Sequence, residues 1–326
     1  MTSRSRVLVT APLRGPGFAK LRELADVVYD PWIEQTPLRI YSAEQLADRI
    51  KAESADVVVV ESDSVGGPVF DLDLRAIAST RGDPNNVDIA GATAAGVPVL
   101  NTPGRNADAV AEMTVALLLA ATRHLLPADS DVRSGNIFRD GSIPYQRFRG
   151  REIAGLTAGL VGLGAVGRAT QWRLSGLGLR VIAHDPYNPD AEHSLEALLA
   201  EADIVSMHAP VTDDTVGMVG AREFAAMRDG AVFLNTARAQ LHDTDALVAA
   251  LRDGKVAAAG LDHFVGEWLP ADHPLVGMPN VVLTPHIGGA TWDTEVRQAQ
   301  MVADDLAALL SGNAPTHIVN PEVLAP

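Results

Sequence analysis

The turn Gly162-Leu163-Gly164-Ala165-Val166-Gly167 constrains this chain more than any other stretch. It follows the apolar run Leu156 to Val161 and opens a helical pattern from Val166 to Leu177, and Asp185 ends the next apolar run, Leu179 to Ala183. A strand that turns sharply into a helix needs glycine at the bend. It needs a second glycine where backbone approaches a ligand, and a third where helix packs on strand. The helix start then offers N–H groups and a positive dipole end to phosphate, and a carboxylate after the second strand accepts ribose hydroxyls. Gly162, Gly164, Gly167 and Asp185 therefore mark a dinucleotide-binding layout.

That layout sits in the middle of the chain rather than at its start. Before it, strand-like runs fall at Val7 to Thr10, Val27 to Tyr29, Val57 to Glu61, Ile77 to Thr80 and Val97 to Asn101. A helix is expected over Ala43 to Glu53, with Ser42 and Gln45 at capping-box spacing. A longer one is expected over Ala107 to Leu126, ended or kinked by Pro127. The stretch Asp129 to Arg151, with Gly135, Gly141, Pro144 and Gly150, reads as a connector. Six strands follow: Leu156 to Val161, Leu179 to Ala183, Ile204 to His208, Ala231 to Asn235, Ala257 to Leu261 and Val281 to Thr284. A final helix runs from about Asp293 to Leu310. The expected fold is α/β, with two Rossmann-like doubly wound domains. The dinucleotide-binding domain (105–290) is inserted into a flavodoxin-like substrate domain (1–104 and 291–326). Two crossings between domains would make a hinge, and a cleft between them would suit a substrate that must be kept from water.

Composition narrows the partners. A net charge of −15 spread without long like-charge runs argues against nucleic acid and anionic membrane. There is no cysteine, which excludes disulfides, thiolate metal sites and a cysteine nucleophile. Met1 to Arg6 leads into a short strand-like run rather than a signal-peptide core, and Val115 to Ala121 is too short to span a bilayer, so a cytoplasmic location is expected.

In open parallel sheets ligands gather at the carboxyl ends of the strands. There the second series carries His184-Asp185-Pro186, His208-Ala209-Pro210, Thr236-Ala237-Arg238, Asp262 with Glu267 beyond it, and Pro285-His286-Ile287-Gly288-Gly289. Arg238, Glu267 and His286 would converge on one sheet edge. An arginine fork grips a carboxylate through two parallel hydrogen bonds. Histidine can donate or accept a proton at a carbonyl or hydroxyl oxygen near neutral pH, and a carboxylate beside it orients the ring and favours its charged form. No H-x-x-x-H or clustered Asp/Glu/His pattern is apparent, so no metal is expected.

These residues resemble the D-isomer-specific 2-hydroxyacid dehydrogenases over nearly the whole length. The resemblance rests on Asn86-Val87-Asp88, Asn101-Thr102-Pro103-Gly104 leading to Ala111-Glu112, Gly162 to Gly167, and His208-Ala209-Pro210. It continues through Asn235-Thr236-Ala237-Arg238, Gly260-Leu261-Asp262 and Thr284 to Gly289. It implies that Arg238 binds the substrate carboxylate and carbonyl, that His286 is the acid/base and that Glu267 is its partner. NAD is the implied cofactor. Ala165 and Val166 would meet its pyrophosphate and Asp185 its adenosine ribose, while Thr236, Ala237, Asp262 and Gly288 would meet the nicotinamide half. His208, Pro210, Arg238, His286 and Gly289 complete the cofactor set.

The substrate would be a small 2-hydroxy or 2-oxo acid of the glyoxylate, hydroxypyruvate or sugar-acid type. Arg81, Gly82 and Asp83 would join Arg238 and His286 around it, with Arg81 and Arg105 supplying positive charge. Phosphoglycerate is the alternative substrate. It is disfavoured because Glu61-Ser62-Asp63-Ser64 stands where many phosphoglycerate dehydrogenases carry Arg-Ser, and two carboxylates would repel a phosphate. An alternative of another class is an NAD(H)-binding corepressor, which the same family includes. The resemblance also implies a homodimer, with contacts from the Ala107 to Leu126 helix and the 129–151 connector, and no appended regulatory domain.

Overall fold

A computed structural model describes residues 4–324. Residues 1–3 and 325–326, including part of the Met1 to Arg6 segment and the outer ends of the expected substrate domain, lie outside the described residues. The chain forms two compact units, one of residues up to Arg105 with those from Thr291 onward, the other Asn106–Ala290.

The first unit is built on a five-stranded parallel sheet of β1 (Arg6–Val9), β2 (Asp26–Tyr29), β3 (Val57–Val60), β4 (Ala76–Ser79) and β5 (Val99–Leu100), in the order 2-1-3-4-5. That is the flavodoxin-like order. Its strands are apolar at consecutive positions because both faces are covered. Val7 and Val9 point to a cluster with Ala299, Val302 and Leu306 of the helix Trp292–Leu310. Leu8, between them, points to a second cluster with Leu46, Ala47 and Ile50 of Ala43–Glu53. The latter helix starts with the expected capping box, Ser42 accepting from Gln45 N–H and Gln45 accepting from Ser42 N–H.

The second unit has six parallel strands: β6 (Thr157–Val161), β7 (Arg180–His184), β8 (Ile204–Met207), β9 (Ala231–Asn235), β10 (Val256–Leu261) and β11 (Val281–Leu283). Their order is 7-6-8-9-10-11, so connections run to one side after β6 and to the other after β7. The order reverses between β6 and β8, and that switch point is where such sheets bind ligands. Both faces are again buried. Leu160, Ile204 and Leu234 pack with Leu117 and Leu118 on one side, while Val161, Val205 and Phe233 pack with Leu247 and Phe224 on the other.

The expected helix over Ala107 to Leu126 is in fact two helices, Ala107–Thr122 and Leu125–Arg133, bent by 66°. The break is not at Pro127 but at His124, whose φ of 54° is left-handed. The chain at Gly150 and Arg151 crosses the end of the first helix, and Arg151 N–H donates to Thr122 O at 3.1 Å. Pro127 sits instead in the first turn of the second helix, where its missing N–H is not needed. No single helix among the described residues is long and apolar enough to cross a membrane.

Candidate active site

After β6 the chain bends through Gly162 at φ 101°. A Cβ there would lie 2.6 Å from Ala209 N, since the chain leaving β8 passes directly behind it, and one at Gly167 would lie 2.3 Å from Gly162 O. Those two glycines are demanded by the fold itself. At Gly164 a Cβ would meet nothing within 4 Å, and the helix Ala165–Gly176 has no side-chain N-cap. Its first N–H groups, those of Ala165, Val166 and Gly167, have no hydrogen-bond partner among the described residues, which fits a pyrophosphate.

Asp185 is tied to this turn, a role invisible in sequence. One carboxylate oxygen accepts from Leu163 N–H at 2.9 Å and the other from Tyr187 N–H at 3.0 Å, while Asn188 Nδ2 donates to Leu163 O at 2.8 Å. Each carboxylate oxygen keeps a free lone pair for a ribose hydroxyl. The residues present therefore fit a dinucleotide.

At the end of β8, His208 Nε2 lies 2.9 Å from Ser206 Oγ, and burial pushes its imidazole down to about 4. Pro210 O accepts from Thr215 Oγ1 at 2.7 Å, closing the next turn. After β9, buried Asn235, to which the sequence alone assigns no role, organises the loop: its Oδ1 accepts from Ala237 N–H and its Nδ2 donates to Arg238 O. Thr236 is buried with its hydroxyl 2.8 Å from that of Thr114. Arg238 is exposed, donates to Ala237 O, and forms no ion pair among the described residues. Its fork is open to an external carboxylate.

Beyond β11 the turn is made by a histidine. Five non-glycine residues among those described have positive φ, and two of them are His286 and Glu267, both at 55°. Holding such a conformation costs on the order of 1–2 kcal/mol per residue. Buried Asp262, at the end of β10, secures it by accepting from Thr284 Oγ1 (2.5 Å), Ile287 N–H (3.0 Å) and Gly288 N–H (2.7 Å). Gly289 lies against Asn106. This brace aims the His286 ring so that Nδ1 lies 2.9 Å from Glu267 Oε1, with the two side chains 45% and 57% exposed.

His263 stands against this pair, its ring centre 3.8 Å from that of His286 and its Nδ1 3.9 Å from Glu267 Oε1. Burial, then the nearby His286 and Arg238 charges, push its imidazole down to about 3. The effect of Arg238 on this ring is also what ties the arginine to the histidine cluster. The three residues His263, Glu267 and His286 place a potential metal-ligand atom each within 4.8 Å of one another. The expectation that no Asp/Glu/His cluster exists is therefore corrected: His263 and Glu267 are four apart in a non-helical loop, and His286 comes from another strand end, so no helical spacing reveals them.

In the first unit, the acidic segment differs from expectation. Arg105 forms an ion pair with Glu61 at 2.5 Å, and both are largely buried. Asp63 is fully buried, accepting from Thr10 Oγ1 at 2.5 Å and Tyr41 N–H at 2.7 Å. Glu61 is neutralised and Asp63 belongs to the core, so these carboxylates do not form a wall that repels phosphate. Arg81 donates to Glu61 O and to Asn85 Oδ1, each at 2.6 Å. Gly82 O accepts from Asn101 Nδ2 at 2.7 Å, whereas the N–H groups of Gly82 and Asp83 meet no acceptor among the described residues.

Residues 115–288 match the family model described as the NAD binding domain of D-isomer specific 2-hydroxyacid dehydrogenases. The chain is 38% identical to a glyoxylate reductase of Thermofilum pendens, over 99% of this chain and 96% of that protein. Among solved structures, the TT0316 protein of Thermus thermophilus is 37% identical with a TM-score of 0.82, covering 96% of this chain and 99% of that one. An NAD-complexed D-isomer specific 2-hydroxyacid dehydrogenase from Lactobacillus delbrueckii ssp. bulgaricus is 27% identical with a TM-score of 0.76, covering 97% of this chain and 100% of that one.

Proposed function

The chain belongs to the D-isomer specific 2-hydroxyacid dehydrogenase family, and from that premise we propose that it reduces glyoxylate or a similarly small 2-oxo acid at the residues around His286. It is an NAD-dependent oxidoreductase. Bound NADH supplies the hydride that goes to C2 of the acid. The His286–Glu267 contact carries the reading. With Nδ1–H donated to the carboxylate, the atom left to exchange a proton is Nε2. In reduction, Nε2–H of the imidazolium protonates the carbonyl oxygen while Glu267 stabilises the ring's charge. Oxidation starts from the neutral ring. Arg238 holds the substrate carboxylate in its unpaired fork and so fixes the face presented to the cofactor.

Asp185 favours NADH over NADPH, since its carboxylate opposes a 2′-phosphate. Neither alternative raised from sequence is favoured: the Thermofilum pendens relative is named for glyoxylate, and the exposed Arg238 guanidinium and the His286–Glu267 pair support dehydrogenase chemistry. NADH oxidation across glyoxylate, hydroxypyruvate, pyruvate and phosphohydroxypyruvate tests the assignment, with the highest kcat/KM expected for the first two. Failure to turn over any of them would overturn it.

A homodimer is proposed through the connector region, where Leu125, Leu126, Val132, Phe138 and Tyr145 are all more than half exposed. Apolar groups gathered in this way are typical of a covered surface. Light scattering at twice the chain mass of 34.3 kDa is the expected result.

A further inference from the structure

We propose that His263, Glu267 and His286 form a divalent-cation site of zinc type, through which the metal reversibly inhibits the enzyme. The donors are His263 Nδ1, a Glu267 carboxylate oxygen and His286 Nδ1, all within 4.8 Å of one another. Ligand atoms around tetrahedral zinc, at about 2.0–2.1 Å from the metal, lie roughly 3.4 Å apart. The two separations here, 2.9 Å from His286 Nδ1 to Glu267 Oε1 and 3.9 Å from His263 Nδ1 to the same oxygen, bracket that value. Side-chain shifts of well under an ångström would close the triangle.

His263 is the independent sign of a ligand. Its side chain is 4% exposed, yet Nδ1 has no hydrogen-bond partner. A buried nitrogen left this way forfeits its hydration and recovers nothing in the protein. A divalent ion would supply the partner that this buried Nδ1 lacks. His286 and Glu267 are about half exposed, so an ion can enter from solvent and keep a water or substrate oxygen in its fourth position.

The inhibitory sense follows from the atoms used, and this part rests on the catalytic reading above. An ion on His286 Nδ1 displaces the proton that Nδ1 shares with Glu267 and occupies the oxygen that stabilises the imidazolium. What remains at Nε2 is the N–H of a neutral, metal-bound ring, a much weaker acid than imidazolium. Neither direction of the reaction can then use it.

The test separates binding from activity. Zn2+ is titrated calorimetrically into chelator-treated full-length protein, Co2+ absorption is recorded on the same protein, and NADH oxidation is followed with and without Zn2+. One ion per chain, intense tetrahedral Co2+ bands and inhibition reversed by EDTA are expected. His263→Leu should weaken Zn2+ binding and inhibition at least tenfold while leaving the chelated rate within about threefold. If that variant does not fold, His263→Gln is used with the same criterion. Zinc binding without any reductase activity would leave the site standing and sink the catalytic reading. Absence of stoichiometric binding, or equal zinc affinity in the His263 variant, would overturn the site.

Discussion

After β6 the chain reverses through glycines; after β11 it reverses through a histidine held at positive φ. The first turn is set by steric exclusion: Gly162 and Gly167 leave no room for a side chain, because the neighbouring backbone is already there. The second is set by attraction, with the three hydrogen bonds to Asp262 holding a conformation that His286 would not choose alone. A turn made by exclusion binds a ligand through its backbone and tolerates little change of sequence. A turn made by attraction presents a reactive side chain, and its precision depends on a carboxylate one strand away.

Four substitutions or conditions would break or sharpen this contrast. The largest effect is expected from His286→Asn, since asparagine tolerates left-handed backbone and removes only the proton-transfer group. kcat should fall on the order of 10²–10⁴-fold with NADH affinity and thermal stability nearly unchanged. A kcat within threefold of wild type would disprove the assignment.

Gly167→Ala should act in the opposite way, destabilising the second unit by about 3 kcal/mol, because the Gly162 carbonyl cannot move aside. Thermal unfolding and NADH binding measure it, and an unchanged melting temperature would remove the steric account. Asp262→Ala should fall between the two, costing roughly 2 kcal/mol of stability and lowering kcat as His286 loses its aim. Loss of stability with kcat intact would mean that the brace is structural only.

The smallest effect concerns pH. His208 beside the glycine turn and His242 behind the Arg238 loop are both pushed down to about 4 by burial. The folded rings stay neutral while unfolded ones take up protons near 6.5, so their stabilisation is complete above that pH. It declines as the pH falls towards 4. From pH 7 to 6 the loss should be roughly 1 kcal/mol. Urea unfolding at the two values checks it, and replacing both histidines should reduce the change by that amount, leaving the share of His263, which is also held below its ordinary value.

Much of the architecture was legible because it is written in short-range steric terms. Apolar runs at Val57–Val60 and Ala231–Asn235 became fully buried strands, the Ser42/Gln45 capping box formed, and glycine spacing marked the turn after β6. The helix break at His124 was not legible, since its cause is a crossing segment from Gly150 and Arg151, distant in sequence. Glu61 and Asp63 read as a negative surface because a carboxylate's partner cannot be seen in a string: Arg105 and Thr10 were supplied by the fold. His263 passed for an ordinary histidine for the same reason.

By itself the sequence determined two parallel α/β sheets, the position of the glycine turn and the residue types at each strand end. Those depend on local chain geometry and on the periodicity of apolar residues, which neighbours in sequence largely settle. Only the tertiary structure decided which carboxylates are neutralised, which side of the His286 ring is committed to Glu267, and that a buried histidine stands against them. Such outcomes depend on distances between segments far apart in the chain, and electrostatic and hydrogen-bond energies change steeply over a single ångström.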